Sequence, residues 1–295
     1  MDSLNINKQP KNSSDIFRQS KLYNIYKNSP YTSLKLDSYF LAYEEIFNKY
    51  IGKKITFVEV GVLHGGSLFM WREYFGRQAR IIGIDLDPAA KELEEHGFEI
   101  FIGSQSNKIF WEKFYSKIGK IDILLDDGGH VNDQQIISLS EAINNTNDGG
   151  VLVVEDTHTS YLKSFGNPSK YSFINYSKFL IDAVNSRFAD AKITMKNNFN
   201  KKIYSINFYE SIVAVNIDSK KCLNASVLNN NGKNREKVYD ARNEDYSPSI
   251  NRFIKKYFPK IMKLAGIKKI LRYFFYKYNF FIKIKYYLKL KKYFK

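Results

Sequence analysis

Cysteine is nearly absent from this chain: Cys222 is the single one in 295 residues. A disulfide framework within the chain is excluded, and so is a zinc site built on thiolates. The uninterrupted apolar runs of roughly 18–20 residues needed to span a bilayer are missing. Met1–Asp15 is polar and lacks the apolar core of a secretory leader. Together these absences lead to the expectation of a cytoplasmic protein. Internal repeats are lacking too. Acidic residues are missing from one region alone: residues 251–295 carry 15 Lys or Arg and no Asp or Glu. The net charge of +16 is therefore a property of the tail, since residues 1–250 hold 31 basic against 30 acidic residues. Nothing in the composition bears on oligomeric state.

What is present is an alternation of short apolar runs and helical patterns. Ile55–Val60, Ala79–Ile84, Glu99–Ile102, Ile121–Leu125 and Gly150–Val154 read as strands. Ser67–Phe75, Ala89–His96, Lys108–Tyr115 and Gln134–Asn144 read as the helices between them. Continuous apolar strands imply that both sheet faces are covered. The pattern predicts an α/β, Rossmann-like, doubly wound, mostly parallel sheet. A helix over Leu36–Tyr50 precedes it. A helix near Ser172–Asn185 follows, then strands Ile203–Tyr209 and Ser211–Ile217 as an antiparallel edge hairpin. The expected organisation is a loose arm over 1–34, a catalytic domain over 35–217, a polar linker over 218–250 and a basic, aromatic, helical tail over 251–295.

Polar chemistry collects at strand C-termini, where open α/β sheets bind ligands. Glu59-Val-Gly61-Val-Leu-His-Gly65-Gly-Ser67 is a glycine loop leading into a helix N-terminus, though its spacing is not the dinucleotide G-x-G-x-x-G. Asp85 ends the next strand, where a carboxylate can accept the ribose hydroxyls of an adenosine; Asp87 before Pro88 suits a helix cap. Gly103-Ser104-Gln105 can meet an adenine edge or serve as a plain turn. Asp126, Asp127 and His130 follow the fourth strand; Glu155 and Asp156 follow the fifth. Parallel neighbours would bring these four carboxylates and one imidazole to a single mouth. Like charges at one place repel unless compensated, and a hard divalent cation is one compensation, with Mg²⁺ suited to carboxylate oxygens and Mn²⁺ able to substitute. His130 can act there as a general base at neutral pH. His158 is the rival base, while His64, inside the glycine loop, and His96, on a helix surface, are less suited.

These motifs, in order, resemble those of the sugar O-methyltransferases of glycan-biosynthesis clusters, which are similar to metal-dependent macrolide-sugar O-methyltransferases. The resemblance runs from Lys35-x-Asp-x-Tyr39-Phe40 and Tyr43, through VEVGVLHGGSLFMWREYFG, IIGIDLDP, FIGSQS, DILLDDGGH and GGVLVVEDTHTSY, to INFYESIVAV, covering Lys35–Ile217. It implies a class I methyltransferase domain using S-adenosylmethionine and Mg²⁺. By position it implies donor contacts at Glu59, Gly61, Gly65, Ser67 and Asp85; Gln105, by the adenine-edge reading, and Asp126 complete the expected donor-binding set. It implies metal ligands at Asp127, Glu155 and Asp156, and a base at His130. Ser104 departs from the pattern, since relatives usually carry Asp before the Gln. The implied acceptor is a sugar or nucleotide-sugar hydroxyl.

The tail interleaves 14 Phe or Tyr with its 15 basic residues. Phe253–Leu264 and Ile267–Phe281 are helix-compatible with basic residues bordering an apolar face, as in helices that lie in an anionic headgroup region. This gives the expectation of peripheral attachment to the cytoplasmic face of the inner membrane. Two competing classes are a nucleic-acid methyltransferase and a non-catalytic membrane adaptor. The near-neutral body, with no basic stripe, argues against nucleic acid; the intact carboxylate set argues against the adaptor.

Overall fold

A computed structural model describes residues 15–166, 169–188, 191–195, 197–233, 284 and 287–293. The chain divides into two units, Met1–Val227 and Leu228–Lys295. In the second, a short helical piece at 287–293 is described. The tail segments Phe253–Leu264 and Ile267–Phe281, and the part of the linker after residue 233, lie outside the described residues.

The first unit is built on a seven-stranded sheet of order β3-β2-β1-β4-β5-β7-β6. Its strands are β1 (Thr56–Val60), β2 (Arg80–Asp85), β3 (Glu99–Ile102), β4 (Ile121–Asp126), β5 (Thr146–Val154), β6 (Ile203–Tyr209) and β7 (Ile212–Ile217). β1 to β5 are parallel; β7 runs antiparallel to β5 and to β6. This is the doubly wound sheet with an edge hairpin that the alternating pattern predicts. The order reverses between β1 and β4, so the crevice beyond their C-termini is the topological switch point.

Helices cover both faces: α1 (Lys21–Lys27), α2 (Tyr39–Phe47), α3 (Gly66–Phe75), α4 (Lys108–Ile118), α5 (Asn132–Asn144) and α6 (Phe173–Asn185). Strand side chains alternate between faces. On one face Phe57, Ile81, Ile123, Leu125, Val151 and Val153 pack with Tyr43, Phe47 and Trp71. On the other Val58, Val60, Ile82, Leu124, Leu152 and Val154 pack with Trp111, Phe114 and Leu139. Trp71 and Trp111 are fully buried, and burying one such ring stabilises by about 3 kcal/mol.

Three local expectations need correction. The loose arm is structured from Asp15 onward: Ser20 caps α1 by accepting from the Tyr23 N–H, and Glu44 accepts from Ser20 Oγ and the Leu22 N–H. Leu22 is fully buried and Tyr23 and Tyr26 pack against Phe40, which explains why so polar a segment is ordered. The helix expected over Leu36–Tyr50 begins only at Tyr39, leaving Leu36 exposed, and tightens to a 3-10 turn at Asn48–Tyr50. Pro88–His96 is 3-10 rather than α-helical; Asp87 does cap it, accepting from the Ala89 N–H at 3.0 Å.

Candidate active site

The pleat sorts the strand-end acids. β4 and β5 lie in register, and the Glu155 N–H extends the ladder by donating to the Asp126 carbonyl at 2.9 Å. Counting by twos along β4, Asp127 continues the face of Ile123 and Leu125, while Asp126 continues that of Leu124. Along β5, Glu155 continues the face of Val151 and Val153. Asp127 and Glu155 therefore meet beneath α2, and Asp126 lies on the opposite face beneath α5. The expectation of four carboxylates at one mouth is corrected to three.

Asp126 is fully buried. It accepts from both its neighbours Gln105 Nε2, at 2.9 and 3.0 Å, and Ser138 Oγ, and from the Gly128 N–H at 3.3 Å. Burial pushes its carboxyl above the usual range against these donors. Gln105 in turn accepts from the Gly129 N–H at 2.9 Å, so its amide ties the loop after β3 to the loop after β4. Both residues are buried and held in place by this network.

On the other face stands a residue that reasoning from strand ends missed. Lys35 Nζ lies 2.5 Å from Asp127 Oδ2, 3.0 Å from Glu155 Oε2 and 3.8 Å from Glu59 Oε1, with its side chain 1% exposed. Burial alone would lower its pKa, but Asp127, Glu155 and Glu59 together hold it well above the usual value. Glu155, also accepting from Tyr43 Oη, is pushed well up by burial and by the charge of Asp127. The like charges thus have a compensating ammonium in the chain itself. A signal for it existed: Lys35, Tyr39, Tyr43 and Phe47 recur every fourth residue, one face of a helical path, with a cation leading an aromatic stripe.

Asp156 stands at the rim. Tyr39 Oη donates to its Oδ1 at 2.5 Å and accepts from its backbone N–H at 3.1 Å. His130 Nε2 is 3.3 Å from Asp156 Oδ2, and His130 Nδ1 is buried with no hydrogen-bond partner among the described residues. His158 is half exposed; its Nδ1 lies 2.6 Å from Ser211 Oγ and 3.9 Å from Asp156 Oδ1. Asp127, His130 and Asp156 each offer a ligand atom within 4.8 Å of the others, one such group among the described residues. Glu155 stands beside this group, occupied by Lys35 and Tyr43, so the trio that the geometry gathers differs from the expected Asp127, Glu155 and Asp156. His130 and Asp156 both have left-handed backbones, at φ 57° and 52°.

The glycine loop crosses the same strand ends. Gly61 and Gly65 both adopt φ 86°, and a Cβ on Gly61 would strike the carbonyl of Asp127, so the loop and the acidic mouth abut. Asp85 Oδ2 accepts from the Val62 and Leu63 N–H groups at 2.8 and 3.1 Å, and Oδ1 from the Asp87 N–H at 2.9 Å. An ionised carboxylate has about four acceptor positions, so one remains. Glu59 is placed elsewhere than in the open loop: fully buried under α3, it accepts from Ser67 Oγ at 2.8 Å and Trp71 Nε1 at 3.3 Å. Burial raises its pKa to about 7, with Lys35 opposing and Asp127 reinforcing the shift. His64 is exposed in the loop, and His96 pairs with Tyr31 Oη at 3.1 Å, away from the acids.

No protein-family model matches the chain. It is 33% identical over 137 residues to the 8-demethyl-8-alpha-L-rhamnosyl tetracenomycin-C 2'-O-methyltransferase of Streptomyces olivaceus, covering 44% of this chain and 36% of that protein. It is 30% identical over 154 residues to the mycinamicin VI 2''-O-methyltransferase of Micromonospora griseorubida, covering 48% of this chain and 38% of that protein. The chain thus spans little more than a third of the length of these curated relatives. Among solved structures it resembles the methyltransferase MycE of the mycinamycin pathway, in complex with Mg, SAH and mycinamycin VI. That match has a TM-score of 0.59 and 24% identity over 68% of this chain and 53% of the other. Its homologues are sugar O-methyltransferases of macrolide and polyketide pathways, and its fold is that of the class I methyltransferases.

Proposed function

We propose that this chain is an S-adenosylmethionine-dependent, Mg²⁺-assisted O-methyltransferase of sugar hydroxyls. The observation that carries the reading is one crevice, at the switch point of the sheet, where the glycine loop abuts Asp127, His130 and Asp156. The residues fit both groups. Hard oxygens of Asp127 and Asp156, with Glu155 adjacent, suit Mg²⁺, and Mn²⁺ could replace it. The left-handed loop at Gly61 and Gly65, the start of α3 at Ser67 and the remaining acceptor position of Asp85 suit the donor. Gln105 and Asp126 act on the donor side through the loops they tie, and Glu59 through Ser67.

A divalent cation supplies Lewis acidity that lowers the pKa of a sugar hydroxyl, and the donor supplies an electrophilic methyl group. The chain's own task is to remove the proton and exclude misalignment. His130 takes the hydroxyl proton while the oxygen forms its bond to the methyl carbon and the carbon–sulfur bond breaks. Tyr39, donating to Asp156, fixes that carboxylate, and Asp156 in turn orients the His130 ring. A reacting oxygen aligned with the methyl group completes the step by orientation.

The acceptor we assign is a nucleotide sugar or lipid-linked glycan of surface-polysaccharide synthesis, such as capsule or lipopolysaccharide, with the basic aromatic tail resting on an anionic membrane. The charge pattern of residues 251–295 supports this. No described helix is long and apolar enough to cross a membrane. The test incubates the protein, labelled donor and Mg²⁺ with a panel of nucleotide sugars and extracted glycolipids. Label on a sugar oxygen is expected; label on RNA or DNA alone would overturn the reading. Flotation with anionic vesicles should carry the full chain and leave a 1–250 truncation behind.

A further inference from the structure

Lys35 is the one ammonium buried in the acidic cluster among the described residues, its side chain 1% exposed, and the function above has no task for it. Its ammonium occupies the oxygens of Asp127 and Glu155 that face each other. A divalent cation cannot take those oxygens while Nζ lies 2.5 and 3.0 Å from them, since two cations would then stand in contact. A third carboxylate waits nearby: Glu59 Oε1, at 3.8 Å, is hydrogen-bonded by neutral Trp71 Nε1, and Oε2 by Ser67 Oγ. Glu59 is buried, and Lys35 is its nearest cation among the described residues.

We propose that Lys35 is an exchangeable internal counter-ion. It neutralises Asp127 and Glu155 before metal binds, and moves onto Glu59 when a divalent cation takes its place. The inference rests on the metal-assisted reading above. Lys35 is then a positioning residue: it keeps the carboxylates gathered in the metal-free protein and sets how tightly the cation is bound. Two consequences follow with opposite signs. Removing the ammonium removes a competitor, so cation binding tightens. Removing the charge of Glu59 removes the receiving site, so the ammonium stays and cation binding weakens. Purely structural damage to the cluster would move both in the same direction.

The test titrates Mn²⁺ into the full-length protein at pH 8, reading free Mn²⁺ by electron paramagnetic resonance. It compares wild type, Lys35→Gln, Lys35→Arg and Glu59→Gln. Lys35→Gln is expected to bind on the order of tenfold tighter or more, as a cation leaves the vicinity of the site. Lys35→Arg keeps the charge and should stay near wild type, and Glu59→Gln should weaken binding. Melting in chelator should fall for Lys35→Gln and recover with Mn²⁺ by more than the wild type gains. Unchanged or weaker binding by Lys35→Gln overturns the exchange. Should that variant fail to fold, wild-type affinity in Glu59→Gln overturns it equally. A wild type that binds no Mn²⁺ defeats instead the metal-assisted reading beneath it.

Discussion

On the donor side of the crevice, Asp85 and Asp126 are hydrogen-bonded by uncharged partners: backbone N–H groups for Asp85, Gln105, Ser138 and a backbone N–H for Asp126. On the acceptor side, Asp127 and Glu155 share one buried ammonium, with Glu59 close by. Neutral donors are fixed parts of the chain and persist whether or not a ligand arrives. An ammonium on a flexible stem can leave. The donor half is thus finished by folding, whereas the acceptor half is balanced so that another cation can finish it.

The strongest test of this contrast is chelation. Turnover should vanish in excess chelator and return with Mg²⁺, and Asp127→Ala should lose both turnover and metal. Donor binding, measured by calorimetry, should survive in each case; its loss would merge the two halves into one. Next, His130→Ala should lower kcat by about 10²–10⁴-fold with donor affinity intact, while His158→Ala stays near wild type. The reverse ranking would move the base to His158. Asp85→Ala should weaken donor binding on the order of 10–100-fold, since a hydrogen bond to a charged group contributes about 1.5–3 kcal/mol, with Mn²⁺ affinity unchanged. A joint loss would show that the halves are not separable.

The smallest expected effect is a slope. Glu59 has a folded pKa of about 7 against an ordinary 4.5. The native state therefore binds more protons than the unfolded chain between those values, so this group's contribution to stability falls as pH rises through that window. Thermal melts in chelator from pH 4.5 to 7.5 should decline less steeply in Glu59→Gln than in wild type. Equal slopes would remove Glu59 from the electrostatics of the site.

The sheet was readable because each parallel strand is a short apolar run ending in a polar loop, as in Ile121–Leu125 before Asp126, and burial on both faces leaves no other pattern. The acids at strand ends were readable for the same reason. Their sorting was harder to see. Asp126 and Asp127 are adjacent letters on opposite faces, and only the period of two along β4 separates them. Lys35 was obscured by distance, 92 positions before Asp127, and by sitting just outside the helix whose spacing it shares. Glu59 lies deeper than a strand-end residue beside glycines suggests, because the pleat turns it beneath Trp71 and Ser67. The ordering of residues 15–27 depended on partners on α2, which local composition does not encode.

The left-handed backbones at His130 and Asp156 bear on how this protein could be improved or spoiled. Non-glycine side chains at such φ values cost of order 1 kcal/mol relative to glycine. A directed-evolution campaign scored only on melting temperature would therefore find gains at these two positions, through His130→Gly and Asp156→Gly. Each gain would delete the proposed base or a charged oxygen at the rim. The chain would emerge hardier and inert, its fold improved by discarding the two residues it was bent to present.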